Sequence, residues 1–185
     1  MGEETIMKHS IRAVRILLDE HKKIRGLVRQ IEGIDHRAQK MKAGVCAELF
    51  MELEIHSLIE EKYVYAPAEN LFEEEDEKAL IVESFSDHKR IGELIAVLRP
   101  MNVVDPQFNA KFNELADEVE LHITEEESEV LPVIQNRIGD ILHSVYQEME
   151  VERATLLQQP QYRDITAENV QNPSGGEQMR TKKAA

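Results

Sequence analysis

Apolar residues recur every three to four positions through residues 10–158, and Gly and Pro are scarce inside that span. That period marks amphipathic helices. It predicts helices at 10–33, 39–66, 74–99 and 106–136, with a shorter fifth at 139–158. Turn chemistry marks the breaks. "EGIDHRAQ" separates the first two helices, Pro67 and "ENLFEEED" the next pair, and "RPMNVVDPQ" ends the third. Asp105 before Pro106 reads as a helix start: a carboxylate that can cap free N–H groups, then a residue whose missing N–H costs nothing in the first turn. Gly139 marks the break before the fifth helix, and from Pro160 onward the chain is polar and rich in Gly, Asn and Gln. The expected organisation is all-α: a helical bundle over 1–158 and a flexible polar tail over 159–185.

The pattern repeats within the chain. "DEHKKIRGLVRQI" (19–31) matches "SDHKRIGELIAVL" (86–98), pairing His21 with His88 at an offset of 67. "EIHSLIEEKYVYAP" (54–67) and "ELHITEEESEVLP" (120–132) both write H-x-x-x-E-E, and pair His56 with His122, Glu60 with Glu126 and Glu61 with Glu127 at an offset of 66. The chain is therefore two related helical hairpins in tandem. Packed face to face, they make an up-down-up-down four-helix bundle.

The polar members of the repeat stand on the apolar stripes. The face that holds His21 also holds Val14, Leu17, Leu18, Ile24 and Val28; the face of His88 holds Ile81, Phe85, Ile91 and Ile95. His56 shares its face with Leu49, Leu53, Ile59 and Tyr63, and His122 with Leu115 and Val119. Glu60 and Glu126, four residues after their histidines, share those faces, whereas Glu61 and Glu127 are turned away by about 100° toward solvent or an outer position. Buried carboxylates without a partner cost several kcal/mol each, and two near one bundle centre also repel each other. Lys22, Lys23, Lys62, Lys89 and Arg90 fall off the stripes; Arg25 alone could reach inward. Divalent cations fit better, because neutral imidazoles and carboxylates are their usual ligands. His9, His36 and His143 have no glutamate four residues on and read as surface residues, and Cys46 as a small core residue.

His21, His56/Glu60, His88 and His122/Glu126 on four successive helices resemble the hemerythrin-like family, the HHE cation-binding domain, over roughly residues 10–137. The resemblance implies a non-haem centre of two Fe ions with an oxo or hydroxo bridge. His21 and His56 would bind one iron, His88 and His122 the other, with Glu60 and Glu126 bridging. The ligand types alone also accommodate Mn or Zn. Oxygen-carrying hemerythrins bear a second histidine one turn from the first on the third helix, where this chain has Ser84 and Gly92. Their last acid, an aspartate, stands five residues after its histidine rather than four. The iron beside His88 would then be one ligand short, with Gly92 either leaving room there or serving close helix packing. Ferritin-like proteins write Glu-x-x-His instead, with the glutamate first. The expected partner is a small ligand, O₂, NO or peroxide, bound without turnover. The alternatives are turnover of peroxide or NO, repair of iron centres, or a helical interaction module with a structural metal. No residue is expected to act as a catalytic or organic-cofactor residue.

Charge narrows the remaining classes. The net charge of −14 argues against nucleic acid and anionic membranes as partners. The single cysteine and the lack of a basic, then apolar, leader fit a cytoplasmic setting. Nothing in the composition identifies a protein partner.

Overall fold

The computed structural model describes the backbone of residues 2–162 and the side chains of residues 12–162. It contains α1 (Gly2–Gly33), α2 (Gln39–Glu60), α3 (Ala66–Leu71), α4 (Glu75–Leu98), α5 (Pro106–Glu125) and α6 (Leu131–Leu157). Two π-helical turns, Glu61–Tyr65 and Glu126–Val130, join α2 to α3 and α5 to α6 without a break. No strand occurs among the described residues, and none of their helices is long and apolar enough to cross a membrane.

α1 packs on α2 and α4 packs on α5, and the two hairpins close against each other. Connections at 34–38, 72–74 and 99–105 are too short for a crossover, so neighbours run antiparallel. Asp105 caps α5 as its sequence suggests, accepting a hydrogen bond from the Gln107 N–H at 2.8 Å, with Pro106 in the first turn. α6 bends at Ile138 (φ −127°, ψ 24°), one residue before Gly139, and its distal part forms the fifth helix. That part returns to the core, where Leu142 and Met149 are buried with Ala13 and Leu17. Of the expected tail, residues from 163 lie outside the described residues, while Tyr162 is buried.

Two expected boundaries move, and α1 starting at Gly2 rather than at residue 10 is one of them. Pro67 does not stop its helix, which continues to Leu71. In an α-helix proline clashes with the carbonyl four residues back and donates no hydrogen bond. Here the preceding turn is wider, with the Ala66 N–H bonded to the Glu61 carbonyl five residues back, and the ring is accommodated. Pro132 follows the second π turn in the same way, after Leu131 N–H bonds to the Glu126 carbonyl.

The apolar core is divided. One cluster gathers Leu17, Ile55, Ile59, Ile81, Ile134 and Leu142; the other gathers Ile24, Leu49, Leu53, Ile91, Leu115 and Val119. Between Leu17 and Ile24 on α1, and between Ile81 and Ile91 on α4, lies a buried polar layer containing His21 and His88. Leu115→Ala, in the second cluster, and Leu142→Ala, beyond the bend, should each cost about 2–5 kcal/mol in equilibrium unfolding. An unchanged unfolding curve for Leu142→Ala would show that the fifth helix is not part of the cooperative unit.

Candidate metal centre

The polar layer brings together all six residues singled out by the repeat. His21, His56, Glu60, His88, His122 and Glu126 are each at most 5% exposed. Their Nε2 atoms and carboxylate oxygens converge. His21 Nε2 lies 3.0 Å from Glu126 Oε2, and His56 Nε2 lies 3.1 Å from Glu60 Oε2. His88 Nε2 stands 3.3 Å from Glu60 Oε2 and 3.2 Å from His122 Nε2. His122 Nε2 is 3.8 Å from Glu126 Oε2. These atoms form two sets able to hold a metal ion: His21, His56, Glu60 and Glu126, and Glu60, His88 and His122.

The outer ring nitrogens explain the second glutamate of each H-x-x-x-E-E. His21 Nδ1 meets Glu127 at 3.0 Å, and His88 Nδ1 meets Glu61 at 3.1 Å. Each of these acids comes from the opposite hairpin. His56 Nδ1 meets Glu20 at 2.8 Å and His122 Nδ1 meets Asp87 at 3.2 Å, each within its own hairpin. Every imidazole thus has a carboxylate behind it that fixes which nitrogen points inward. Glu61 and Glu127 are outer residues as expected, but they are tied to the cluster rather than solvated. Glu20 and Asp87 escaped sequence reasoning, although both immediately precede the first-helix histidine of their repeat. Arginines stand behind three of the four acids: Arg25 on Glu127 at 2.7 Å, Arg153 on Glu20 at 2.5 Å, and Arg90 on Asp87. Arg153, on the fifth helix, also meets Glu52 at 2.5 Å.

Tyr65 is a further residue that the sequence hid. It is fully buried, and its hydroxyl lies 2.7 Å from Glu126 Oε1 and 3.2 Å from Glu60 Oε2. Five α-helical residues after Glu60 it would point some 140° away. The wider π turn brings it back over the glutamate.

Burial decides the charges. It raises Glu60 well above the usual carboxylate range, and the neighbouring Glu126 adds to that. Burial opposes ionisation of Glu126 too, but hydrogen bonding with His21 and the charges of His122 and His21 hold it below its ordinary value. Burial likewise opposes a charge on His21, yet Glu126, Glu60 and Glu127 lift it to about 9. His56, with Glu20 only partly offsetting its burial, falls to about 4. Without a cation the centre therefore holds a His21–Glu126 ion pair and a protonated Glu60. The Tyr65 hydroxyl, kept protonated by burial and both acids, donates to Glu126 at the shorter distance.

The donor set suits a cation. His56 Nε2 and Glu60 Oε1 are buried without a hydrogen-bond partner, and His21 Nε2 and Glu126 Oε2 meet each other. Orphaned buried polar atoms are costly, and donors this short of partners around one centre suit a shared cation.

The remaining candidates fall elsewhere. His36 is exposed, His143 is half-buried on α6 rather than on the surface, and His9 lies outside the described side chains. Cys46 is buried, and burial pushes its thiol up to about 11. A Cβ on Gly92 would meet nothing within 4 Å, so close helix packing does not account for that glycine.

Glu127→Gln and Glu20→Gln should each weaken metal affinity about 10–100-fold while leaving the fold intact. Metal titration of the purified variants checks this, and unchanged affinity would reduce the outer acids to ordinary ion pairs. Protons on His21 and Glu60 compete with a cation. Affinity should therefore rise with pH through neutrality toward about 9, with proton release on binding. Calorimetry in buffers of different ionisation enthalpy counts the protons, and none released would refute this charge assignment.

No curated protein and no solved structure matches the chain. The family model described as the hemerythrin HHE cation-binding domain matches residues 12–134, which contain all six inward-facing residues and the four outer acids, Glu20, Glu61, Asp87 and Glu127. With the match covering most of the chain and its four-helix core, this protein belongs to the hemerythrin HHE cation-binding family.

Proposed function

We propose that the protein is a hemerythrin-like di-iron protein that binds O₂ or a related small ligand, NO or peroxide, in the bundle core. The observation that carries this reading is the convergence of four buried imidazoles and two buried carboxylates into two donor sets that share Glu60. One set offers four ligands, His21, His56, Glu60 and Glu126, whereas the other offers three, Glu60, His88 and His122. With two imidazoles and two shared carboxylates each, the metals would keep coordination positions for an exogenous ligand. His21 and His56 would hold one iron, His88 and His122 the other, and Glu60 and Glu126 would bridge. Such a centre supplies reversible one-electron chemistry toward small oxidants. The chain's own part is to orient the imidazoles through the outer acids, to exclude water with the two apolar clusters, and to hold a proton at the Tyr65 hydroxyl.

Tyr65 also favours the enzyme-like alternative. Its buried O–H, held between both carboxylates, could turn from Glu126 to donate to a polar ligand at the centre.

Protein loaded with Fe(II) without oxygen should carry two irons per chain and develop a visible band on exposure to O₂, NO or azide. A reversible band supports binding; steady loss of peroxide supports turnover. Glu126→Ala should lose metal, and two tightly held irons in that variant would sink the bridging role. Chelation should lower the melting temperature by several degrees, since a ligand at a thousandfold excess over Kd adds about 4 kcal/mol. An unchanged melting curve in fully metal-free protein would count against a central site.

A further inference from the structure

A cavity of about 250 Å³ opens between α2 and α4 against the outer edge of His88. Its lining includes His88, Glu61, Glu54, Gly92 and Tyr162, with apolar walls such as Leu53 and Ile91. Glu60, His122 and Glu126 do not line it, so it meets the Nδ1 side of the His88 ring, away from the centre.

The internal repeat supplies the comparison. At offsets of 66 and 67, Glu54, Glu61 and Gly92 correspond to Glu120, Glu127 and Arg25. In the first arrangement Arg25 lies between the acids. Its Nη1 is 2.7 Å from Glu127, its Nε is 3.0 Å from Glu120, and Glu127 in turn holds His21. In the second arrangement Glu61 holds His88 in the same way, but glycine replaces the arginine. Nothing lies within 4 Å of where its side chain would begin. Glu54 is met instead by Arg99 at 2.5 Å. Among the described residues, Glu61 pairs with His88 and with no lysine or arginine. It is the one outer acid without a cation behind it, and it lines the place where its counterpart's cation sits.

We propose that this cavity binds a small organic cation, a guanidinium or primary ammonium on a short apolar stem. The charged head pairs with Glu61, as Arg25 pairs with Glu127. The stem lies along Leu53 and Ile91, and the Tyr162 ring completes a lining favourable to cations. The volume suits a ligand of a few heavy atoms, being below the usual drug-sized range of about 300–1,000 Å³. The net charge of −14 favours accumulation of cations at the surface. The cation would reinforce Glu61, and through it the orientation of His88. The cavity and its comparison do not depend on which metal occupies that centre.

The same chemistry has two sources: a free molecule, or Arg163, which follows Tyr162 in sequence and lies outside the described residues. Calorimetric titration of the full chain with propylguanidinium, and with neutral N-propylurea as control, tests the proposal. The expected result is saturable binding of the cation at least tenfold tighter than of the urea. Binding should be lost in Gly92→Arg, which restores the missing side chain, and in Gly92→Leu, which only fills the space. It should weaken at least tenfold in Glu61→Gln. Circular dichroism establishes that each variant is folded. Binding that emerges only in Arg163→Ala would identify the chain's own arginine as the occupant. No binding in either wild type or Arg163→Ala overturns the proposal, as does undiminished binding in both folded Gly92 variants.

Discussion

Two carboxylates, Glu60 and Glu126, face each other in the middle of a helical bundle with no water-exposed surface to speak of. Neither can be charged there alone, and both charged together would repel. The rest of the layer answers that constraint in shells of alternating character. Four imidazoles surround the acids, four further acids stand behind the imidazoles, and arginines stand behind three of those. Each shell satisfies the hydrogen-bonding groups of the one inside it, until the last reaches solvent. A polar network in a core is stable only when it closes in this way. Around the centre it stays open at inward-facing atoms of the innermost shell, His56 Nε2 and Glu60 Oε1 among them.

The duplication makes departures from symmetry informative. The two halves agree in their histidines, inward-facing glutamates and outer acids. They differ at Tyr65, whose counterpart at the glutamate offset is the buried apolar Leu131. They differ again at Arg25 and Gly92. Tyr65 adds a hydroxyl that touches both glutamates, and its ring centroid lies 5.2 Å from that of His88. Gly92 opens the flank of the same histidine. Both departures therefore gather around His88. A third departure is external: Arg153 arrives from the fifth helix, which has no counterpart in the first hairpin, and ties Glu20 behind His56.

The bundle and its inner six residues were legible because they obey the α-helical period. A histidine and a glutamate four apart on an apolar stripe must both face inward, whatever the loops do. The Asp105 cap and the bend near Gly139 were legible for a similar reason, since each is a local backbone requirement. The outer acids were not. Glu127 reaches His21, and Glu61 reaches His88, only because the hairpins pack with their histidines at one level, and no spacing in the sequence encodes that packing. Tyr65 was lost to an assumption of uniform α geometry. Arg25 reached inward only as far as Glu127, because the stripe beneath it was already filled.

The prolines show how sequence nonetheless holds the irregular geometry in place. A π turn leaves backbone bonds that an α-helix would make better, so an unconstrained helix should relax out of it. Pro67 and Pro132 remove that option, because an α register would set each ring against the carbonyl four residues back and would gain no hydrogen bond there. With the α register penalised beyond Tyr65 and Val130, the wide turn is the arrangement that keeps the helix continuous. Both wide turns directly follow or include an inward-facing glutamate, which matches the tendency of such turns to sit at functional sites. The recurrence of a histidine, two glutamates and then a proline is thus one device written twice. The first glutamate faces the centre, the second holds a histidine from the other hairpin, and the proline keeps the intervening turn wide. In the first hairpin that width carries Tyr65 onto the carboxylates; in the second it delivers only Leu131 to the core.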